Sequence, residues 1–157
     1  MADIFNDDFR DFLRALRRWQ VEYLLVGGYS VILHGYSRTT GDLDVWVNQT
    51  SDNYRKLTSA FHEFGMPVFD MTEANFLSNP EMDVFRFGRP PVSIDILVGV
   101  KGLVFDQAYA QAVEVEVEGL PIKLIHFDDL LRAKQAAGRP RDQNDIDNLK
   151  KSNRNEP

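Results

Sequence analysis

Two aspartates flank a single leucine in the run Asp42-Leu43-Asp44-Val45-Trp46-Val47. Leu43, Val45 and Val47 alternate with Asp42, Asp44 and Trp46 at the period of a β-strand. Both carboxylates therefore leave one face, and the apolar side chains enter a core. Neighbouring carboxylates repel, so a positive group is expected between them. A divalent cation with hard oxygen ligands suits that place. A third acid, Asp95, lies in Ser93-Ile94-Asp95-Ile96-Leu97-Val98, where Ile94, Ile96 and Val98 form one face and Asp95 takes the other. A carboxylate inside an apolar strand is costly unless it is paired or bound to metal. If the two strands are neighbours, Asp42, Asp44 and Asp95 form a cluster able to hold two Mg²⁺ ions and carry phosphoryl transfer. An Asp-x-Asp pair alone is common on surface strands, where it serves only solubility. What precedes the pair decides its meaning.

What precedes it is Val26-Gly27-Gly28-Tyr29-Ser30, at the end of the apolar run Tyr23-Leu24-Leu25-Val26. Paired glycines after a strand let the backbone approach a ligand closely. Peptide N–H groups at such a turn, opening into a helix, can cradle an anion such as a triphosphate. The interval from Gly28 to Asp42 has room for a short helix and a return to a neighbouring strand. The succession of strand, glycine turn, helix and Asp-x-Asp strand is far more specific than either part.

In this order the residues resemble the signature of the nucleotidyltransferase superfamily related to DNA polymerase beta. The text Gly27-Gly28-Tyr29-Ser30-Val31-Ile32-Leu33-His34-Gly35, followed by Arg38-Thr39-Thr40-Gly41-Asp42-Leu43-Asp44, is similar to the small bacterial MNT-like nucleotidyltransferases grouped with AbiEii-type toxins. Downstream, Lys134 and the segment Gly138-Arg139-Pro140-Arg141-Asp142 with Asp145 match that group's helical lysine and its acid after a basic turn. The resemblance runs from about Tyr23 to Leu149. It implies an α/β fold of the α+β kind, a mixed β-sheet flanked by helices, with an Mg²⁺–NTP site at the sheet edge. It implies that Asp42, Asp44 and Asp95 ligate two Mg²⁺ ions, with Mn²⁺ as a substitute, and that Asp95 assists deprotonation of an acceptor hydroxyl. Gly27, Gly28 and Ser30 would contact the phosphates, and Arg38 and Lys134 would neutralise their charge. The residue chemistry agrees, since Arg grips phosphate through a planar fork and Lys supplies a point charge. The implied reaction moves an NMP from an NTP to a hydroxyl on tRNA or other RNA, a protein or a small molecule, within a toxin–antitoxin pair or outside one. Gly28 stands where many members carry Ser, and the chain is shorter than AbiEii-type toxins. Those departures point to the rival reading, a catalytically weak or inactive binding module acting through a protein partner.

The elements that must position these residues are legible along the chain. Phe5, Phe9, Phe12, Leu13 and Leu16 recur on one helix face. Arg10, Arg14, Arg17 and Arg18 fall largely off it, as a solvated surface or as contacts for RNA. The spacing predicts a short helix over Ser30 to His34 and a longer one over Asn53 to Phe64, capped by Ser51 or Asp52 and stopped by Gly65. Strands are predicted over Asp83 to Phe87 and Val92 to Val98, around the turn Gly88-Arg89-Pro90-Pro91, and over Val113 to Val117 and Ile122 to Ile125, around Gly119. Helices are predicted over Asp128 to Ala137 and Asp142 to Lys151. Residues 1–151 read as one nucleotidyltransferase domain and 152–157 as a flexible tail.

Other residues have plain readings. His34 packs or hydrogen-bonds, and His62 and His126 lack metal-ligand spacing. Trp46 shares the face of Asp42 and Asp44, as ordinary packing or as the floor of a base pocket. Asp142 and Asp145 cap and solvate a helix or serve the site. Phe61, Phe64, Phe69, Phe76, Phe85 and Phe87 read as core.

Composition bounds the rest. With 157 residues, 43% hydrophobic and 27% charged, the chain is large enough for its own core and is not a disordered one. The absence of cysteine excludes disulfides, thiolate metal sites and cysteine nucleophiles. No apolar run approaches the ~18 residues of a membrane helix, and the acidic start lacks a signal-peptide layout. The expected address is the cytoplasm, with no membrane partner. The net charge of −6 argues against a protein that coats nucleic acid, because such affinity comes largely from neutralising phosphates.

Overall fold

The computed structural model describes residues 4–89 and 92–154. Its core element is the tetrapeptide strand β1 (Tyr23–Val26), buried along its whole length. Antiparallel to it runs β2 (Asp42–Val47), with Leu25 opposite Val45 and Val26 opposite Asp44. Parallel to β2 runs β4 (Val92–Leu97), which forms an antiparallel hairpin with β3 (Val84–Arg89). On the other side of β1, in parallel, lies β6 (Leu120–Leu124), paired antiparallel with β5 (Val113–Val117). The result is one mixed six-stranded sheet in the order β3-β4-β2-β1-β6-β5, flanked by helices as expected.

Register divides the sheet into two faces. Leu43, Val45, Phe85, Phe87, Ile94 and Ile96 are register partners or alternate with them, so they share one side, and all are buried. Helix α1 (Asp7–Arg18) and helix α3 (Ser51–Phe64) belong to that side. Phe12 of α1 meets Phe61 and Phe64 edge-on, at 5.5 and 5.4 Å between ring centroids, and Phe61 in turn meets Phe87 at 4.8 Å. Such edge-to-face contacts are the favoured aromatic arrangement. The opposite face carries Asp42, Asp44, Arg86, Ser93 and Asp95, with Trp46 on Phe105 at 5.1 Å. The polar chemistry is thus confined to one side of the sheet by strand alternation alone.

Local signals explain the element ends. Asn6 caps α1 by accepting from the Phe9 N–H at 2.8 Å, with Asp7 and Asp8 in the first turn and Arg17 and Arg18 in the last, all favourable to the helix dipole. Thr50, rather than Ser51 or Asp52, caps α3 through the Asn53 N–H, and Gly65 stops it in the left-handed conformation. The β5–β6 turn places Glu118 and Gly119 both at positive φ, which suits the twist of a tight hairpin. Of the expected β3–β4 turn, Pro90 and Pro91 lie outside the described residues.

Several elements differ from the sequence reading. Helix α2 (Gly27–Leu33) starts directly at the first glycine, not at Ser30, so no loop separates it from β1. Two short helices, α4 (Glu73–Ser78) and α5 (Phe105–Gln111), were not anticipated. Helix α6 (Phe127–Ala137) begins one residue early, with His126 as its cap. Helix α7 (Pro140–Arg154) starts at a proline, whose fixed φ suits the first helical position, and runs three residues past the expected end. Ser152 is therefore helical, and residues 155–157 of the expected tail lie outside the described residues. Phe69, expected in the core, is 70% exposed and stands at positive φ in a turn before α4. Among the described residues no helix is long and apolar enough to cross a membrane.

Candidate active site

The three predicted acids come together on the polar face of β2 and β4. Asp44 stands directly opposite Asp95, and Asp42 opposite Ser93. The Ser93 hydroxyl donates to Asp42 Oδ1 at 2.7 Å, which fixes that carboxylate. Asp95 is 6% exposed and is held from β3 by its own register partner, Arg86. Arg86 Nε donates to Asp95 Oδ1 at 2.9 Å and its Nη2 to Oδ2 at 3.0 Å. Burial first, then the carboxylates of Asp95 and Asp42, push the Asp44 carboxyl up to about 7, against the pull of Lys134. Asp44 is thus a buried acid beside two carboxylates, with Lys134 the cation that acts on it.

That imbalance tests the fit of a metal. Asp42 and Asp44 offer oxygen donors only, the preference of Mg²⁺ and similar cations. A divalent ion beside Asp44 would supply the missing positive charge. Among the described residues, however, no three acidic or histidine side chains converge as a ready-made ligand set. Asp42 leans on Ser93, Asp95 is gripped by Arg86, and the cluster is a row rather than a point of convergence.

The glycine turn closes on this row. Gly27 has φ +70, a conformation that side chains with a Cβ rarely adopt, and a Cβ there would lie 2.0 Å from Asp44 Oδ2. The glycine is therefore what allows the backbone and the carboxylate to touch. A Cβ on Gly28 would lie 2.4 Å from Thr40 Oγ1. The space a serine would take at position 28 is filled by the Thr40 side chain, reaching in from the segment before β2. Ser30 does not reach the cleft. It is fully buried, and its hydroxyl donates to the Gly27 carbonyl at 2.6 Å.

A cationic wall faces the acids. Lys134 of α6 is 8% exposed and lies 3.3 Å from Asp142 and 3.0 Å from Asp145 of α7. Arg38 Nη2 donates to Asp145 Oδ2 at 3.1 Å, and its Nε lies 3.0 Å from Oδ1. Arg139 donates to Asp142 through Nε at 2.6 Å, Nη2 at 3.1 Å and its backbone N–H at 3.1 Å. Burial alone would raise the Asp142 carboxyl, but Arg139 and Lys134 outweigh it and hold it at about 2. Asp142 reaches back over the start of α7 as a cap, and neither it nor Asp145 is solvated. Their work is to seat three cations side by side in a partly dry site, where unpaired charges would be expensive.

Between acids and cations lies a cleft with two arms that meet at Gly27, Asp44, Lys134 and Arg139. The polar arm, about 100 Å³, adds Gly28, Arg38, Thr40, Asp42 and Arg141. The larger arm, about 270 Å³, is walled by Val26, Val84, Leu97, Val100, Ile125, Leu130 and Ala133, with Asp83 and Lys101 among its polar residues. One arm suits a polyanion and the other an organic ring system.

The remaining candidates stay outside. His34 Nε2 lies 2.7 Å from the Ile125 carbonyl, and burial lowers its pKa. His126 caps α6 through Nδ1. Trp46 is buried against Phe105 and lines neither arm. Arg14, Arg17 and Arg18 pair with Asp11, Glu114 and Glu63 on the surface. Sequence reasoning passed over Arg86, Thr40 and Ser93. Arg86 was within reach: in a hairpin whose ends pair Arg89 with Val92, three steps back on one strand and three forward on the other bring Arg86 opposite Asp95.

Comparison with known proteins identifies the family and the fold. The model of the family described as nucleotidyltransferase of unknown function (DUF6036) matches residues 8–154. Among solved structures, the lincosamide antibiotic adenylyltransferase LnuA, bound to lincomycin, superposes with a TM-score of 0.61 at 18% identity, covering 95% of this chain and 98% of that one. An antigenic nucleotidyltransferase-like protein from Paracoccidioides brasiliensis gives 0.50 at 18% identity, covering 90% and 74%. At that identity the two share the fold. No curated protein matches the chain by sequence. The family match spans nearly every described residue, including both strands of acids and both helices of the cationic wall, and the chain belongs to the DUF6036 nucleotidyltransferases.

Proposed function

We propose that the chain is an Mg²⁺-dependent transferase that moves an NMP from an NTP to an acceptor hydroxyl. The observation that carries this reading is the juxtaposition, across one small polar cleft, of Asp42 and Asp44 with the wall of Arg38, Lys134 and Arg139, with Asp95 held beside Asp44 as its register partner. Acids that attract a cation and cations that attract phosphate are rarely useful side by side unless one ligand carries both.

Asp42 and Asp44 would hold Mg²⁺, which when bound neutralises phosphate charge and polarises the α-phosphate. Arg38, Lys134 and Arg139 bind the triphosphate and spread the charge that grows on the departing pyrophosphate. The Gly27–Gly28 backbone lies against the same arm, and its lack of side chains leaves room for phosphate oxygens. The acceptor oxygen attacks the α-phosphorus, the bond from that phosphorus to the β-bridging oxygen breaks, and pyrophosphate leaves. Asp95 takes the proton from the hydroxyl. Arg86 keeps that carboxylate aimed through two hydrogen bonds. Catalysis then rests on positioning and charge stabilisation.

The larger arm bears on the acceptor. Its apolar walls would seat the nucleoside or a compact organic acceptor. The lincomycin-bound neighbour lends support to a small-molecule hydroxyl, beside RNA and protein acceptors. Within the superfamily we place the chain near the MNT-like group associated with AbiEii-type toxins, on the text from Gly27 to Asp44, and a toxin–antitoxin setting would follow from that placement.

The test is transfer of label from each α-³²P-NTP with Mg²⁺, in the presence of total RNA, cell protein or a small-molecule extract. Asp44→Asn serves as the control. Label that moves in the wild type and not in the variant supports the reading and identifies the acceptor class. Equal labelling by both would remove Asp44 from the chemistry.

A further inference from the structure

We infer that Arg86 is the second cation of this site: its guanidinium takes the place at Asp95 that a second metal ion would need, so the centre seats one divalent cation, on Asp42 and Asp44, and not two. The inference rests on the nucleotidyl-transfer reading and departs from the two-ion expectation.

Three observations carry it. Arg86 engages both oxygens of Asp95, at 2.9 and 3.0 Å, in the planar two-point geometry that suits a carboxylate. The pairing is set by backbone register, since Arg86 and Asp95 are opposite residues of one hairpin. It is therefore built into the sheet and is not a chance surface contact. Finally, among the described residues no three acids converge on a common point, as an ion shared by Asp42, Asp44 and Asp95 would require.

Charge is consistent with this count. Arg86 offsets the charge of Asp95, and the acids left for one divalent ion are Asp42, partnered by a neutral hydroxyl, and Asp44. Arg cannot give up its proton in a protein, so this cation is permanent and independent of metal supply. Arg86 is half-exposed while the Asp95 side chain is 8% exposed, so the guanidinium covers the carboxylate from the solvent side. An ion arriving at Asp95 would have to displace it. Arg86 is on this account a positioning residue, which fixes Asp95 beside Asp44.

The test counts ions. The full chain is titrated with Mn²⁺ alone, free Mn²⁺ is read by electron paramagnetic resonance, and the bound signal is inspected for spin coupling between ions. The wild type is expected to bind one Mn²⁺ with no coupling. Arg86→Met is expected to bind two, coupled through the shared acids, or to tighten a second site at least tenfold. Arg86→Lys, which restores a cation, is expected to return to one. A merely structural role for Arg86 would change stability and leave the count at one in all three. Two coupled ions in the wild type overturn the inference and leave the transfer reading intact, and the wild-type count decides this even if Arg86→Met does not fold. An unchanged count in a folded Arg86→Met also overturns it. No bound Mn²⁺ in any form sinks the metal-dependent reading itself.

Discussion

Asp44 on β2 and Asp95 on β4 are direct register partners of two parallel strands, and only Asp95 has a guanidinium of its own. The two acids are therefore unlike despite their adjacency. Asp95 is neutralised inside the protein, whereas Asp44 is buried beside two carboxylates and its carboxyl is pushed up to about 7. Two carboxylates side by side thus stand in different electrostatic surroundings, one with a cation of its own and one without.

The first prediction concerns pH. An unfolded Asp titrates near ~3.9, so folded Asp44, at about 7, binds the extra proton between those values. A raised carboxyl contributes stability that is fully present below the unfolded pKa and lost as pH rises through the folded one. The metal-free protein should therefore lose stability through this group between about pH 4 and pH 7, and the loss should be complete at pH 8. Buried His34, with its lowered pKa, acts in the opposite sense near neutrality, so the comparison with Asp44→Asn isolates the effect. Asp142, held at about 2, changes only below that window. Melting curves should show a smaller drop from pH 5 to pH 8 in Asp44→Asn than in the wild type. Added Mg²⁺ should raise the wild-type Tm more at pH 8 than at pH 6.

Gly27 gives a second prediction. Gly27→Ala must place a Cβ at 2.0 Å from Asp44 Oδ2 and hold an alanine at φ +70. The strain alone is worth ~1–2 kcal/mol, and the clash displaces a carboxylate central to the site. Transfer should fall by about a hundredfold or more, as for loss of a positioned charged group. Gly65→Ala is the matched control, since it carries the same kind of strain at φ +85 with nothing within 4 Å. It should lose stability alone, by chemical denaturation, and keep its activity.

Position 28 makes a third. Thr40 occupies the space beside Gly28, so Gly28→Ser, although it restores the residue common in the superfamily, should destabilise the fold by ~1–3 kcal/mol through overpacking. Gly28→Ser combined with Thr40→Gly should recover most of that loss, because the two changes share one space. A double-mutant cycle of denaturant unfolding measures the coupling, which should favour the pair over the sum of the singles.

Much of this arrangement was legible in the residues, and for a local reason. Strand alternation in Asp42 to Val47 and in Ser93 to Val98 sets which side each carboxylate takes once the strands form. Glycine at 27 and 28 marked the close approach of backbone to site. What escaped depends on partners far apart in the chain. Nothing near Lys134 announces that Arg38, some hundred positions earlier, shares Asp145 with it. The solvated reading of Asp142 and Asp145 failed for the same cause, since only the packing of α6 against α7 buries them. The short helices α4 and α5 lacked the two or more turns that make helical periodicity visible, although Thr72 caps α4 through the Asn75 N–H and Phe105 stacks on Tyr109 one turn on. Ser30 misled because a hydroxyl beside a glycine turn suits phosphate equally well, and only the start of α2 at Gly27 turns it inward.

The cationic wall supplies the last prediction. Arg38 is the member whose removal should separate binding from folding. Its side chain is 28% exposed, and Asp145 keeps Lys134 at 3.0 Å when it is gone. Lys134→Met, by contrast, withdraws the cation lying between two buried acids, and breaking a buried pair costs ~3–5 kcal/mol. Part of that cost is offset here because Arg38 and Arg139 still face Asp145 and Asp142. Arg38→Ala should therefore leave the Tm within a few degrees of the wild type while NTP binding weakens by about tenfold, the loss expected of one charge-assisted phosphate contact at ~1.5 kcal/mol. Calorimetric titration with NTP and Mg²⁺ beside a melting curve checks both halves. A fall in Tm without a change in affinity would mean that Arg38 serves Asp145 and not the phosphate.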